Sequence, residues 1–300
     1  MSDTKKYYVI NTKKANKQPL HSYILAITTK YSYETNQPVS HNINIGGKIK
    51  GCVQIVVNVP NIVTDPRFAA IEENKKVAYI SWIGFNKKCA INHDLPSGAG
   101  TRHMVRTALT IVLNTYDWVT SFSLTDASKV DCNGYNVSLK HISLSLHGKT
   151  YYERYLHTHL ADESNQTKYN KGIFLLKNRV MDFERMCEFV EPQHKSIVKH
   201  VYSPTLTHIE FFNKLSEQCR LNNIKYCELS CIEHIINSCF EGDVLNEKWI
   251  IDADKVNLIA PLEWSDFVDA SRIQEIDMII QEEFVKGGAK MTALLSEDDY

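Results

Sequence analysis

The segment 95–113, LPSGAGTRHMVRTALTIVL, constrains the fold more than any other part of the chain. Gly98 and Gly100 flank one small residue, and such a turn lets the backbone approach a ligand closely. Apolar residues then recur at three- and four-residue steps, which predicts an amphipathic helix over residues 100–114. Because the first N–H groups of a helix have no partner within it, this turn suits a bound phosphate. An ordinary tight turn is the alternative interpretation.

Segments rich in β-branched and aromatic residues surround this helix and predict a sheet. The predicted strands lie at residues 6–11, 22–32, 42–60, 77–85, 88–92, 118–124 and 137–146, with short ones at 201–202 and 249–251. Hydrophobic periodicity predicts further helices at residues 66–74, 151–160, 179–189, 207–220, 225–240 and 272–285. The predicted fold class is therefore α/β of the α+β kind. A mixed, mostly antiparallel sheet is flanked by helices and followed by a mainly helical C-terminal extension.

Composition and charge limit the possible partners. The chain has 34 basic and 35 acidic residues, so no overall field attracts nucleic acid or an anionic membrane. The N-terminus lacks a signal-peptide core, and no segment has the run of about 18 apolar residues that a membrane span needs. We therefore expect a cytoplasmic protein whose eight cysteines are thiols. The polar segment 161–171 is linker-like and predicts domains at residues 1–165 and 172–300.

The order of strands, glycine turn, helix, strand and Tyr-rich helix resembles that of the GNAT superfamily, the acyl-CoA-dependent N-acyltransferases. Residues 97–101, SGAGT, are similar to the turn that binds the coenzyme A pyrophosphate in that family. Residues 149–155, KTYYERY, are similar to the segment on its last conserved helix. A wider set of segments resembles uncharacterised GNAT-like proteins of large DNA viruses. It comprises the glycine turn, residues 123–128 (SLTDAS), 142–144 (ISL) and 148–153 (GKTYYE). The sequence thus predicts a GNAT-like N-terminal domain.

The resemblance implies a cofactor, a reaction and a set of site residues. Acetyl-CoA would be bound by Ser97, Gly98, Ala99, Gly100, Thr101 and Arg102. Tyr152 would be the general acid that protonates the leaving thiolate, since a phenol keeps its proton at neutral pH. His93 and Asp94 are candidates for the general base, and so is Asp126, for which capping of the next segment is the alternative. The implied reaction moves an acetyl group to an amine on a small molecule or a protein.

A second function class remains open, which is a catalytically inactive GNAT-like scaffold. Such a protein would be a structural or protein-binding component of a virion or viral complex. Leu95 stands where the family has Gln or Arg. Leu156 and His157 replace the Gly-Phe that usually follows the tyrosines. Both departures favour the scaffold.

Two other motifs predict no function of their own. Residues 148–150, GKT, end like a P-loop, but Ser143 occupies the position of the required upstream glycine. Cys227, Cys231 and His234 share one helical face but lack the two spaced ligand pairs of a structural zinc site. We therefore expect no metal, and we interpret these cysteines as small buried hydrophobic residues.

Overall fold

The computed structural model describes residues 3–13, 19–47, 51–60, 76–84, 89–90, 99–259, 267–268 and 274–275. The chain divides into two compact units. The first unit comprises Met1–Leu124 and Ile250–Leu294, and the second comprises Thr125–Trp249 and Leu295–Tyr300. These units are bounded differently from the predicted domains, which stay a prediction. Among the described residues, no helix is both long and apolar enough to cross a membrane.

The described residues form strands and helices of very different lengths. The strands are β1 (Thr4–Lys13), β2 (Pro19–Tyr31), β3 (Pro38–Gly46), β4 (Gly51–Asn58), β5 (Val77–Ile83), β6 (Ser121–Thr125), β7 (Lys129–Cys132), β8 (Tyr135–Ser138), β9 (His159–Leu160), β10 (Lys248–Asp252), β11 (Phe267–Val268) and β12 (Gln274–Glu275). The α-helices are α1 (Ala99–Thr115), α2 (Leu139–His147), α3 (Tyr151–Leu156), α4 (Glu163–Asn178), α5 (Phe183–Cys187), α6 (Lys195–Val201), α7 (His208–Leu221) and α8 (Cys231–Cys239). Short 3-10 helices lie at Pro192–His194, Tyr226–Glu228, Val244–Asn246 and Ala253–Leu258.

The first unit is built on a mostly antiparallel sheet. Neighbouring strands follow the order β11, β1, β2, β3, β4, β5 and β6, and β12 also pairs with β1. Strands β1 to β5 pair antiparallel, whereas β5 and β6 pair parallel. In β4, buried Ile55 and Val57 alternate with half-buried Gln54 and Val56, because successive side chains point to opposite faces.

Helix α1 covers this sheet. It contacts β3, β4 and the 3-10 helix Ala253–Leu258. Its buried apolar side chains include Met104, Leu109 and Val112, each fully or almost fully shielded from solvent. A mixed α/β class with a large, mostly antiparallel sheet flanked by helices is therefore confirmed.

The second unit is mainly helical and contains the hairpin β7–β8. Helix α2 contacts α3, α7 and α8, and α4 contacts α7, α8 and β9. Large side chains fill the space between these elements, and Tyr169, Phe211, Phe212 and Trp249 are at most 1% exposed. This aromatic core is what holds the short helices together, since burying large apolar side chains is the main driving force for folding.

The strand predicted at residues 137–146 is wrong for most of its length, because Leu139–His147 forms helix α2. Leu139, Ile142 and Leu146 follow steps of three and four residues, which is a helical period. All residues from Leu139 to Leu146 are buried. A helix that is covered on every side lacks the polar face by which a sequence usually signals one.

Other local predictions also differ from the structure. The linker predicted at residues 161–171 is wrong, since α4 begins at Glu163 after a cap in which Asp162 accepts from Asn165 N–H. The strand predicted at residues 201–202 is the end of α6 and its cap. The helix predicted at residues 179–189 is shorter in the structure, where it corresponds to α5. The helix predicted at residues 225–240 is a 3-10 turn followed by α8. Cys89 and Ala90 are not in a strand, and Gln274–Glu275 is a strand rather than a helix. The helix at residues 66–74 lies outside the described residues.

The cysteines correct a further expectation. Cys52 forms a disulfide with Cys89 in the first unit, and Cys132 forms one with Cys227 in the second. The Cα atoms of the two pairs are 5.9 and 6.0 Å apart, within the usual range for a disulfide. The prediction that all eight cysteines are thiols is therefore wrong for these four. No spacing rule pairs cysteines 37 or 95 residues apart, so only the fold could reveal them.

Candidate functional site

The residues predicted to bind acetyl-CoA lie at and before the start of α1. His93, Asp94, Ser97 and Gly98 are outside the described residues, so their predicted roles stay predictions. Ala99 and Gly100 form the first positions of the helix. Thr101 is 8% exposed, and Arg102 is half-buried. The helix thus begins inside the predicted turn, at the place where the sequence predicted its free N–H groups.

Buried polar side chains inside α1 were not predicted. His103 is 1% exposed, and its Nδ1 atom lies 2.8 Å from the Tyr23 hydroxyl of β2, a hydrogen bond between helix and sheet. The Thr107 hydroxyl donates to the His103 carbonyl oxygen at 2.9 Å. These contacts fix the helix over the strands, and the sequence gives no signal for them because they depend on residues 80 positions apart.

The parallel pairing between β5 and β6 stops before either strand ends. Its register runs from Val77 opposite Ser121 to Tyr79 opposite Ser123. Within the described residues of β5, pairing to β6 does not continue beyond Tyr79, although β5 runs to Ile83. Ser81 is an extra residue against β4, because the pairing with β4 passes over it. A bulge of this kind bends its strand and is common beside ligand sites.

A buried polar cluster in the second unit contains Tyr152, the predicted general acid. Asp126 directly follows β6, and its Oδ1 atom accepts hydrogen bonds from the backbone N–H and hydroxyl of Ser128 at 3.1 and 2.5 Å. The Asp126 charge and the Ser128 side chain both act on the pKa of the Tyr152 hydroxyl, so the three groups are neighbours. Asp126, Ser128 and Tyr152 are 4, 4 and 6% exposed. The structure therefore gathers the tyrosine, the serine and a carboxyl group into one buried cluster.

Lys140 places a buried amine against the backbone of Asp126, from where its charge acts on the carboxyl group. Its Nζ atom donates to the carbonyl oxygens of Asp126 and Leu245 at 3.4 and 3.0 Å and to the side chain of Asn246. Lys140 was not predicted as a site residue because residues 137–146 were predicted as a strand, whereas helix α2 buries it to 5% exposure. Its three oxygen partners replace the water that a buried ammonium loses.

Burial dominates the electrostatics of the cluster. It raises the pKa of the Asp126 carboxyl, and the Ser128 hydrogen bonds and the Lys140 charge only partly oppose that rise. It lowers the pKa of the Lys140 amine, against the charge of Asp126. Burial and the Asp126 charge together raise the pKa of the Tyr152 hydroxyl well above 10. Tyr152 therefore keeps its proton throughout the physiological range, as a general acid requires.

The Asp126 Oδ2 atom is buried without a hydrogen-bond partner in the described part of the chain. Such an atom is costly, because it loses its water without gaining a partner. The alternative role proposed for Asp126, local capping, agrees with the bonds that Oδ1 accepts from Ser128. Oδ2 remains able to accept one further proton or donor.

Two motifs set aside from the sequence have structural roles. Gly148 ends α2 in the left-handed conformation, with φ of 60°. Thr150 caps α3, where its side chain accepts from Glu153 N–H while the Glu153 carboxylate accepts from Thr150 N–H. Cys227 is in a disulfide rather than a free thiol, and Cys231 is buried. Over the described ranges, no three His, Cys, Asp or Glu side chains are grouped to hold a metal ion.

Tyr152 belongs to the second unit, whereas Thr101 and Arg102 belong to the first. The structure therefore brings Tyr152 together with Asp126 but adds nothing to the predicted pairing of Tyr152 with the cofactor turn. Comparison of the chain with protein-family models, curated proteins and solved structures gives no match. The chemistry of these residues must carry any functional conclusion.

Proposed function

We propose that this protein is an acyl-CoA-dependent N-acyltransferase that moves an acetyl group from acetyl-CoA to an amine on a small molecule or a protein. The observation that carries the proposal is the parallel pair β5–β6, which ends at Tyr79 and Ser123 beside a bulge at Ser81. Helix α1 connects these two strands in the chain. This arrangement supports the GNAT-like order of elements inferred from the sequence.

The early end of the pairing offers a way to bind an extended ligand. Backbone groups on a strand edge that lacks a partner can pair with the amides of an extended molecule. The pantetheine arm of coenzyme A is such a molecule. Helix α1 begins at Ala99, within the predicted turn, so its first N–H groups have no acceptor inside the helix and would point to the pyrophosphate. Gly98 and Gly100 would let the cofactor approach closely.

Tyr152 is the proposed general acid. In the transfer step, a base takes a proton from the amine, the nitrogen bonds to the thioester carbonyl carbon, and the carbon–sulfur bond breaks. Tyr152 gives its proton to the departing sulfur. The position of Tyr152 in one buried cluster with Asp126 supports this role, because burial raises the pKa of Asp126 and a protonated carboxyl group nearby can return a proton to the tyrosine.

The inactive GNAT-like scaffold is the second candidate, and one observation favours it. Tyr152 is only 6% exposed, which leaves its hydroxyl group little access to a thioester. Leu95 also departs from the family's turn. As a scaffold, the protein would bind other proteins in a virion or viral complex. The two disulfides favour a virion over the reducing cytoplasm among the proposed locations.

Thermal melting with acetyl-CoA separates the two candidates. A ligand at about 100 times its dissociation constant should stabilise the protein by ~2.7 kcal/mol. We expect this shift with acetyl-CoA and with coenzyme A, but not with acetate alone. Melting that is unchanged at millimolar acetyl-CoA would reject the enzyme and leave the scaffold.

If acetyl-CoA binds, Tyr152→Phe tests the chemistry. Thiol release from acetyl-CoA should be measured with a lysine peptide and a polyamine as acceptors. We expect the variant to keep the acetyl-CoA melting shift and to lose about 100-fold in turnover, as for a missing general acid. Tyr155→Phe, on the same helix, is the matched control and should retain full turnover. Equal rates for the two variants would remove Tyr152 from the mechanism.

A further inference from the structure

An open cleft in the second unit carries two arginines on its rim. It lies among α5, α8 and the start of α7, and its empty space is about 330 Å³ including the solvent at its mouth. Arg179 and Arg185 line it, and both residues are exposed. Within the described ranges, neither guanidinium group forms an ion pair or a side-chain hydrogen bond. Unpaired guanidinium groups are available for an anion.

The charges of Arg179 and Arg185 both act on the Cys239 thiol. Burial raises the pKa of the Cys239 thiol, and both Arg179 and Arg185 act against that rise. Burial also lowers the pKa of the His208 imidazole on the cleft wall; its hydrogen bond with the Arg179 backbone opposes this, and the Arg179 charge adds to it. Asp182 is the acidic residue of the lining, and its Oδ1 atom already accepts a hydrogen bond from Arg185 N–H. The lining therefore carries two guanidinium groups and one carboxylate.

The backbone holds Arg179 in place. Its carbonyl oxygen accepts from the His208 backbone N–H at 3.2 Å and is 2.8 Å from His208 Nδ1. Its N–H donates to the Leu175 carbonyl oxygen at 2.8 Å, which caps α4. The next residue, Val180, forms a β-bridge with Thr207. A site that is already ordered loses less entropy when it binds.

The interior of the cleft is apolar. Met181, Met186 and Ile235 line it and are 3, 1 and 6% exposed. On one side, the Phe189 ring stacks on the His234 ring, with centroids 4.4 Å apart and planes at 16°. Pockets that combine an apolar lining with a few convergent polar groups are typical of small-molecule sites.

We propose that this cleft binds an organic phosphate monoester, with its phosphate between Arg179 and Arg185 and its apolar group against the Phe189 and His234 rings. A phosphate offers three terminal oxygens and nearly two negative charges, which two guanidinium groups can bind by paired hydrogen bonds. Ser238, also in the lining, uses its hydroxyl proton to bond the Ile235 carbonyl oxygen at 2.8 Å, so the two arginines are the phosphate donors of the site. The apolar lining selects against free inorganic phosphate.

Calorimetric titration of the full-length protein with phenyl phosphate and with inorganic phosphate tests this proposal. We expect saturable one-to-one binding of phenyl phosphate, at least about tenfold tighter than binding of inorganic phosphate because of the apolar lining. Arg179→Gln and Arg185→Gln should each weaken binding by about tenfold or more, because each removes hydrogen bonds to a charged group. Asp182→Asn keeps a side chain able to cap α5 and should strengthen binding.

Arg220→Gln is the matched control. Arg220 is an exposed arginine near the end of α7 and is not part of the cleft lining, so its loss should leave the affinity unchanged. All variants should melt within a degree or two of the wild type, which excludes misfolding as the cause. Absence of saturable binding by the wild type would overturn the proposal. So would equal affinities for the Arg179, Arg185 and Arg220 variants, or equal binding of phenyl phosphate and inorganic phosphate.

Discussion

His141 shows how one buried side chain makes stability depend on pH. It is 4% exposed, its Nε2 atom is 2.8 Å from Asn237 Oδ1, and its Nδ1 atom is buried with no partner in the described chain. Burial lowers the pKa of His141, the Asn237 bond and the Glu233 charge oppose this, and the Lys140 charge adds to it. A second proton would have no acceptor to bond at Nδ1. The folded state therefore favours the neutral ring.

His141→Gln tests this interpretation. The folded pKa of His141 lies below the unfolded value of about 6.5, so its stabilising contribution is complete above that pH and is lost as the pH falls through the folded pKa. Glutamine keeps a donor for Asn237 but does not titrate. We expect the free energy of unfolding, from urea titrations at pH 7 and pH 5, to fall less in this variant than in the wild type. His200→Gln is the control, because His200 is at an exposed position in α6. Its free energy of unfolding should fall between pH 7 and pH 5 as much as that of the wild type. An unchanged pH dependence in His141→Gln would contradict the prediction.

At the scale of elements, the packing of α4 depends on a glycine. Gly172 faces the Phe240 ring so closely that a Cβ atom would overlap Cδ1 and Cε1 of that ring. Phe240 is 8% exposed and stacks on Tyr169, with ring centroids 5.5 Å apart. Tyr169 in turn donates from its hydroxyl to the Glu153 carboxylate at the start of α3. The ring therefore has little room to move away.

Gly172→Ala should destabilise the protein by up to about 2 kcal/mol. Alanine favours a helix by about 1 kcal/mol over glycine, but overpacking a filled core costs about 1–3 kcal/mol and should exceed that gain. Urea denaturation gives the change in free energy of unfolding. Ser164→Ala, exposed on the same helix, should have an effect within about 0.5 kcal/mol. When Phe240 is replaced by leucine, Gly172→Ala should destabilise the protein less than it does in the wild type. A Gly172→Ala variant more stable than the wild type would refute the overlap with the Phe240 ring.

The elements also show where sequence patterns fail. Strands β1 to β5 were predicted because their alternation and β-branched residues are local signals. Helix α2 was predicted as a strand because Ile142, Leu144 and Leu146 alternate as they would in a strand, and its polar residues are buried with them. Lys140 and its contact with Asp126 were missed with it. The site residues near Tyr152 are thus assembled by packing rather than by a linear motif.

At the scale of the whole molecule, each unit has its own disulfide. Cys52–Cys89 lies in the first unit, and Cys132–Cys227 closes a separation of 95 residues in the second. A cross-link over a loop of that length stabilises by about 4.7 kcal/mol in the chain-entropy model. Next to the second disulfide, Lys225 Nζ donates to Asn133 Oδ1 at 2.9 Å. This hydrogen bond also holds the turn of the hairpin β7–β8 at the segment that contains Cys227.

Thiol titration in denaturant checks the pairing. The structure leaves Cys187, Cys219, Cys231 and Cys239 as free thiols. We expect four reactive thiols per chain before reduction and eight after it, as counted with a chromogenic disulfide reagent. Cys132→Ser with Cys227→Ser should lower the free energy of unfolding by about 2–5 kcal/mol, whereas Cys187→Ser should change it little. Eight thiols in protein purified without reductant would contradict both disulfides.

The sequence by itself determined the α+β class, most strands of the antiparallel sheet and the position of helix α1. These features follow from the spacing of apolar residues and from glycine turns, which act over a few neighbouring positions. Tertiary structure alone decided that residues 139–147 are a helix, that two cysteine pairs are joined, and that Asp126 lies beside Lys140. It also gathered Arg179 and Arg185 on one cleft. Each of these depends on which distant segments exclude water from one another, and no local pattern records that.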